Sequence, residues 1–290
     1  MQALQALYDV AAPAKLNLFL HITGRRSDGY HLLQSVFMLI DWCDTLHFSL
    51  RRDGVISRED IATPAQNHAV LPDDDLTVRA ARALQRATGT TLGVHIGLEK
   101  RIPAQAGMGG GSSDAASCLL ALQRLWGTRL PTVQLQSLAL GLGADVPFFL
   151  SGGHAWVEGI GEKVTPISLP SATFIVVKTP AGLATQDIFR APLLKRDTDT
   201  ARIQGFTELA ESDMFKFGKN DLQPVAVQFC TPMLESLNWL ATHQLEARMT
   251  GSGSAVFAKL AGDNGNFQDA PNYWMVRKCC SLDTHPLANW

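Results

Sequence analysis

Residues 103–116 constrain this chain more than any other stretch: Gly107, Gly109, Gly110 and Gly111 crowd into five positions and run directly into a helical pattern. Glycine has no Cβ, so such a loop folds tightly and lets an anion approach its backbone N–H groups. Downstream, Ala115, Leu119, Leu122, Leu125 and Trp126 recur at helical spacing and stop before Gly127, which predicts a helix over 115–126 whose N-terminus faces the loop. Free N–H groups and the positive end of the helix dipole together make a phosphate site, and Ser112 and Ser113 add hydroxyls suited to phosphate or Mg²⁺. The bland alternative is a flexible linker or tight turn, but a linker would not lead at once into an apolar-periodic helix.

Two common explanations of a glycine loop fail on residue identity. A Walker loop needs Lys before its Ser or Thr, and here Gly111 is followed by Ser112. A dinucleotide fingerprint needs a third Gly or Ala at the position that Ser112 occupies.

The rest of the chain supplies context. With 290 residues it exceeds one simple domain, so two domains sharing a cleft are expected. A net charge of −2, with 46% hydrophobic and 18% charged residues, gives no electrostatic argument for nucleic acid or membrane as a partner. Five cysteines without a C-x-x-C pair suggest neither a disulfide framework nor a zinc cluster, and fit a reducing cytoplasm. No H-E-x-x-H arrangement points to a protein-built metal site, and no apolar run is long enough to span a bilayer.

From Val10 to Ile22 the even positions are all apolar, which predicts a strand with one buried face; Lys15, Asn17, Phe19 and His21 then share the other. A helix is expected over 73–89, a strand through Val94, Ile96 and Leu98, and a helix over 131–142 broken by the segment from Gly141 to Phe149. Character changes near Ser151, and Gly159-Ile160-Gly161 is a candidate boundary. A strand over 174–177, a helix opening near Thr185, a polar surface loop over 195–204 and a helix opening at Thr231-Pro232 follow. A second glycine-serine loop, Thr250 to Ser254, leads into an apolar strand, and the segment beyond Gly262 is weakly patterned. Strands and helices interleave without a regular βαβ cadence, which makes an α+β two-domain enzyme the expected architecture.

Pro13-Ala14-Lys15-Leu16-Asn17, the central glycine loop and Thr250-Gly251-Ser252-Gly253-Ser254, in that order, resemble the three motifs of the GHMP kinases. Arg26-Ser27-Asp28-Gly29-Tyr30-His31 and Gly143-Ala144-Asp145-Val146-Pro147-Phe148-Phe149 narrow the resemblance to the branch that acts on a cytidyl diphosphate of a methylerythritol in non-mevalonate isoprenoid synthesis. The resemblance implies a ribosomal S5 domain 2-like N-terminal domain over 1–158 and a ferredoxin-like C-terminal domain over 159–290. It also implies ATP with Mg²⁺ as cofactors and phosphoryl transfer to the 2-hydroxyl of the substrate.

The same resemblance implies site residues. Asp145 is the general base, with Lys15 favouring the ionised aspartate and the developing alkoxide. Lys100, Pro103, Ala106, Gly107, Met108, Gly109, Gly110, Gly111, Ser112 and Ser113 face ATP. Asn17, Tyr30, His31, Phe37, Thr185, Phe189, Gly251 and Gly253 face the substrate, with Tyr30 and Phe189 against the cytosine ring and His31 on its polar edge.

Each assignment has a plainer reading from the residues alone. Asp145 is also a turn carboxylate beside Gly and Pro, Lys15 and Lys100 are also solvated strand residues, Tyr30 is also a packing aromatic, and Gly251 and Gly253 also fit an ordinary hairpin turn. Another small-alcohol kinase of the superfamily, and a nucleotide-binding module without chemistry, stay open as alternatives. Oligomeric state, monomer or homodimer, is open too.

Overall fold

A computed structural model describes residues 4–62, 71–262 and 265–290. Its spine is a pair of long antiparallel strands, β1 (Ala6–Arg25) and β2 (His31–Arg51). Along its other edge β2 pairs first with β5 (Ala155–Gly159) and then with β4 (Gly93–Glu99). β3 (Ile56–Asp60) lies parallel to β4, and β6 (Lys163–Pro166) extends β5, completing a six-stranded sheet.

Helices α1 (Leu76–Thr88), α2 (Gly110–Trp126), α3 (Thr132–Leu142) and α4 (Val146–Leu150) cover one face of this sheet. Asp75 opens α1 by accepting the Val78 N–H at 3.0 Å, and Gly89 closes it in the left-handed conformation. Leu119, Leu122 and Leu125 of α2 pack with Phe37, Leu39 and Phe48 of β2 in the first core. α2 begins at Gly110, five residues earlier than periodicity indicates, because the glycines of its first turn carry no side chain from which an apolar stripe can be read.

A second, four-stranded antiparallel sheet has the order β10-β7-β9-β8, built from β7 (Thr173–Lys178), β8 (Ala247–Met249), β9 (Val256–Lys259) and β10 (Met275–Cys280). Its faces explain the unbroken apolar run on β7: Phe174 and Val176 pack against the first sheet, whereas Ile175 and Val177 join a third core beneath the helices α5 (Thr185–Arg190), α8 (Gln223–Phe229) and α9 (Thr231–Thr242). Short helices α6 (Ile203–Thr207) and α7 (Glu211–Met214) cover the remaining side of the central core. Fold class is therefore α+β as expected, with β10 emerging from the weakly patterned segment.

Three expectations need correction. β1 is buried on both faces, because helices cover one side and the second sheet the other: Val10 and Ala12 lie in the first core, but Ala14, Leu16 and Leu18 lie in the second. The exchange falls at the irregularity between Pro13 and Ala14, where β2 carries two extra residues. Gly159 and Gly161, read as a boundary, form the turn of the β5–β6 hairpin with φ of +74° and +122°, so the first sheet continues past residue 158 to Pro166. Finally, the chain returns to the first unit after β10: Leu282 donates to the Leu39 carbonyl, Thr284 bridges to Gly153, Leu287 enters the first core and Arg124 lies over the Trp290 ring.

Candidate active site

The glycine loop sits between β4 and α2 and is anchored on both sides. The Lys15 N–H donates to the Met108 carbonyl at 3.0 Å, and the N–H groups of Ser254 and Ala255 donate to the carbonyls of Gln105 and Ala106 at 3.0 and 3.3 Å. Gly107, at φ +72°, approaches so closely that a β-carbon there would fall 2.2 Å from the Thr250 carbonyl oxygen. Gly251 returns the contact, since its β-carbon would fall 2.6 Å from the Gly107 oxygen. These two glycines let two loops touch backbone to backbone, which is a more specific demand than a hairpin turn.

Gly109, also at φ +72°, is the N-cap of α2, and no side chain caps the helix. The Ser113 N–H bonds to Gly109, leaving the first-turn N–H groups of Gly110, Gly111 and Ser112 directed outward with the helix dipole behind them. The Ser113 hydroxyl is buried without a partner, whereas Ser112 is half-buried. Met108 and Ala106 are core residues, so their side chains support the loop and only their backbone can meet a nucleotide; Pro103 is half-buried at the loop entrance.

Lys15 stands beside the loop. A β-carbon on Gly109 would lie 3.3 Å from Lys15 Cε and 2.9 Å from the Phe149 ring. The Lys15 side chain is 3% exposed, its Nζ donates to Asn17 Oδ1 at 2.5 Å, and it lies 3.6 Å from an Asp145 carboxylate oxygen. Burial pushes the Lys15 ammonium below its ordinary pKa, and the Asp145 charge and hydrogen bond oppose that shift.

Asp145 opens α4, where Pro147 occupies the first turn, yet its side chain caps nothing. Its carboxylate is 33% exposed and faces Lys15. The turn before it faces the start of α2: a methyl on Gly143 would lie 3.8 Å from Ser112 Oγ. Outward N–H groups, a buried ammonium and a partly exposed carboxylate that caps no helix thus share one corner, which suits transfer of a phosphoryl group to a hydroxyl.

Two expected contacts lie elsewhere. Phe37 does not line the substrate side; its ring is 2% exposed, packs edge-on against Phe148 and sits 4.5 Å beneath the Lys15 ammonium, where it shields that charge from water. Lys100 is held under the loop rather than at its mouth. Its ammonium is bonded to Asp44 and, at 2.6 Å, to Asp114 of α2, while Asp44 also accepts the N–H groups of Arg101 and Ile102. Burial disfavours the Lys100 charge, but the two carboxylates outweigh it and raise its pKa; burial likewise raises that of Asp114.

On the other side of Lys15, Asn17 links strand to loop: its N–H donates to Thr250 Oγ1 at 3.0 Å and its Nδ2 to Ser35 Oγ at 2.9 Å. Thr185 shares a 2.7 Å hydrogen bond with Ser252, which joins the start of α5 to the same loop. A β-carbon on Gly253, at φ +87°, would meet the Met249 sulfur at 2.7 Å. Tyr30, 60% exposed, leaves the Asp28 turn by donating its N–H to Asp28 Oδ1. The His31 and Phe189 rings come together at 5.0 Å, inclined by 33°. An aromatic face and an imidazole from separate elements therefore lie against one another beside the exposed Tyr30, as recognition of a planar base would require.

Several supporting residues carry no sequence signal of their own. Asp44 sits in an apolar strand, Asn220 donates to the carbonyls of Met249 and Gly251 from a distant turn, and Arg196 lies in the polar loop before α6. Thr250 was within a recognised motif, but only the fold reveals its bond to Asn17.

A fold with this loop, this lysine–aspartate pair and two such sheets defines a small-molecule kinase of the GHMP type. A family profile described as the GHMP kinases N terminal domain matches residues 75–153. The 4-diphosphocytidyl-2-C-methyl-D-erythritol kinase of Polaromonas naphthalenivorans (strain CJ2) is 68% identical over 288 residues, covering 99% of this chain and 97% of that protein. The protein of the same name from Variovorax paradoxus (strain S110) is 56% identical, covering 99% of each. A crystal structure of 4-(cytidine 5'-diphospho)-2C-methyl-D-erythritol kinase superposes with a TM-score of 0.72 at 30% identity, covering 94% of this chain and 98% of that one. Homoserine kinase from Cytophaga hutchinsonii, at 15% identity and a TM-score of 0.70, shares the fold. This chain belongs to the 4-diphosphocytidyl-2-C-methyl-D-erythritol kinase family.

Proposed function

We propose that the protein transfers the γ-phosphoryl group of ATP to the 2-hydroxyl of 4-diphosphocytidyl-2-C-methyl-D-erythritol, within non-mevalonate isoprenoid synthesis. The observation that carries this reading is the Lys15–Asp145 pair, 3.6 Å apart beside the uncapped start of α2. Asp145 accepts the hydroxyl proton as the substrate oxygen bonds to the γ-phosphorus and the bond to ADP breaks. Lys15, short of water and 3.6 Å from the Asp145 carboxylate, stabilises charge on the attacking oxygen. The N–H groups of Gly110, Gly111 and Ser112 hold the phosphates.

If Mg²⁺ accompanies ATP, it would supply neutralisation of charge on the departing phosphate, and a serine at the start of α2 would help to hold it. Ser112 fits it better than Ser113, whose hydroxyl is enclosed. Tyr30, His31 and Phe189 receive the cytosine, and the loop 250–254 supports the diphosphate. No described helix is long and apolar enough to cross a membrane. The five cysteines are free, which supports work in a reducing cytoplasm.

A coupled ADP-release assay tests the reading. Turnover is expected with the cytidyl substrate and not with homoserine or mevalonate; the reverse pattern refutes the substrate assignment, and no turnover with any of them leaves a nucleotide-binding module. Asp145→Asn is expected to lower kcat by about 10²-fold or more while ATP affinity stays nearly unchanged. An unchanged kcat removes the base assignment.

A further inference from the structure

One guanidinium ties the two halves of the base pocket together. Arg196 Nε donates to His31 Nε2 at 3.0 Å, Nη1 to the Leu194 carbonyl at 2.9 Å, and Nη2 to the carbonyls of Phe189 and Ala191 at 3.1 and 2.8 Å. Four bonds fix the planar fork, and all four acceptors are uncharged. The imidazole comes from the start of β2 and the Phe189 carbonyl from α5, so Arg196 also holds the two rings at their 5.0 Å spacing.

The bond has a chemical consequence for His31. Guanidinium can only donate, so Nε2 must offer its lone pair and the ring proton must reside on Nδ1. Nδ1 is neither hydrogen-bonded nor sealed in the interior among the described residues. Protonation of His31 would set donor against donor. Partial burial and the positive charges of Arg196 and Arg25 push its pKa below the ordinary imidazole value.

A fixed N–H donor reads a base edge by what it meets. Cytosine presents a lone pair at N3, where uracil presents an N–H, and a donor facing a donor leaves both unpaired. The geometry points to Arg196 as the positioning residue that sets pyrimidine specificity, by holding His31 beside Phe189 as an Nδ1–H donor that favours cytosine over uracil. The inference rests on the reading of His31 and Phe189 as the base site.

The test combines ¹⁵N-imidazole spectra with kinetics on the cytidyl substrate and its uridyl counterpart, for the wild type, His31→Ala, Arg196→Ala and Arg196→Lys. The resonances lost in His31→Ala identify His31. In the wild type they should show a protonated Nδ1 and a bare Nε2, and in Arg196→Ala the proton should redistribute to Nε2. Arg196→Ala should raise KM for the cytidyl substrate about tenfold, leave kcat within about twofold and narrow the cytidine preference, because only a substrate-positioning bond is lost. The acid limb of kcat/KM should also move to higher pH in Arg196→Ala and stay in place in Arg196→Lys, which keeps the charge but cannot span four acceptors. If Arg196→Ala does not fold, Arg196→Lys and the wild-type tautomer still decide. A proton on Nε2 in the wild type overturns the proposal, as does an Arg196→Ala enzyme with unchanged KM and base preference when His31→Ala raises KM. If His31→Ala itself leaves KM unchanged, the base-site reading falls, and the proposal with it.

Discussion

The four glycines of the phosphate loop look alike in sequence, but their surroundings predict unequal responses to alanine. At Gly107 the new side chain would adopt a φ of +72°, which costs an L-residue about 1–2 kcal/mol. Its β-carbon would also fall 2.2 Å from the Thr250 oxygen and 3.0 Å from the Gly253 nitrogen. Both are backbone atoms, so a whole loop must shift, at about 1–3 kcal/mol more. Gly107→Ala should therefore destabilise the protein by about 2–5 kcal/mol.

Gly109→Ala carries the same backbone strain, but its overlap is with the Phe149 ring and Lys15 Cε, so it should lower kcat as well as stability. Gly110→Ala meets the Ile102 side chain at 3.1 Å and Asp44 Oδ2 at 3.5 Å, and has no unfavourable φ. Gly111→Ala finds ordinary contact with Leu76 at 3.6 Å inside a helix, and should be neutral or stabilising by about 0.5 kcal/mol. Urea denaturation without ATP measures the series, and initial rates separate the Gly109 effect. A uniform loss across the four, or a Gly111→Ala as damaging as Gly107→Ala, would refute the account of the loop as two backbones in contact.

Three further outcomes are expected. Lys15→Met should abolish most activity, yet leave thermal stability unchanged or raised, because a buried ammonium is replaced by an apolar chain of similar length while Asp145 keeps its access to water; a large drop in melting temperature would show that the lysine is structural. Thr250→Val leaves the buried Asn17 N–H without its acceptor and should cost about 1–3 kcal/mol in urea, so an unchanged midpoint would dismiss that bond. Burial pushes the His285 imidazole from 6.5 to about 4. Above pH 6.5 neither state binds the proton; between 6.5 and about 4 the unfolded chain binds it and the folded one does not, so stability falls as pH falls, by about 3 kcal/mol in total. His285→Asn keeps an acceptor for the Leu287 N–H and should flatten that limb of the stability curve; an identical acid slope would exclude His285 as its source.

Much of this site was legible because its parts are local. A run of glycines before a helical stripe, a lysine and an asparagine two apart on a strand, and a tyrosine-histidine pair after an Asp-Gly turn each announce themselves within a few residues. Period and burial misled where the environment is two-sided. β1 alternates in sequence, but a strand sandwiched between helices and a second sheet buries both sets, and the irregularity at Pro13 moves its even positions from one core to another. Gly159 and Gly161 signalled a bend without saying whether it joins domains or strands. Phe37 and Lys100 were misplaced because residue type says what a side chain does when exposed, and only the fold shows that Phe37 is a floor and Lys100 a pin between Asp44 and Asp114. Arg196 could not be picked from a polar stretch whose neighbours point to solvent.

The return of residues 281–290 to the first unit bears on how the protein is made. Leu287 is buried in the first core, while Leu282 and Thr284 bond to backbone at Leu39 and Gly153, synthesised more than a hundred residues earlier. The half that carries the phosphate loop and Lys15 thus emerges with part of its interior uncovered until the other half has been translated. A ribosome stalled before residue 281 would therefore hold a nascent kinase whose nucleotide site is complete in sequence but not yet backed by a finished core.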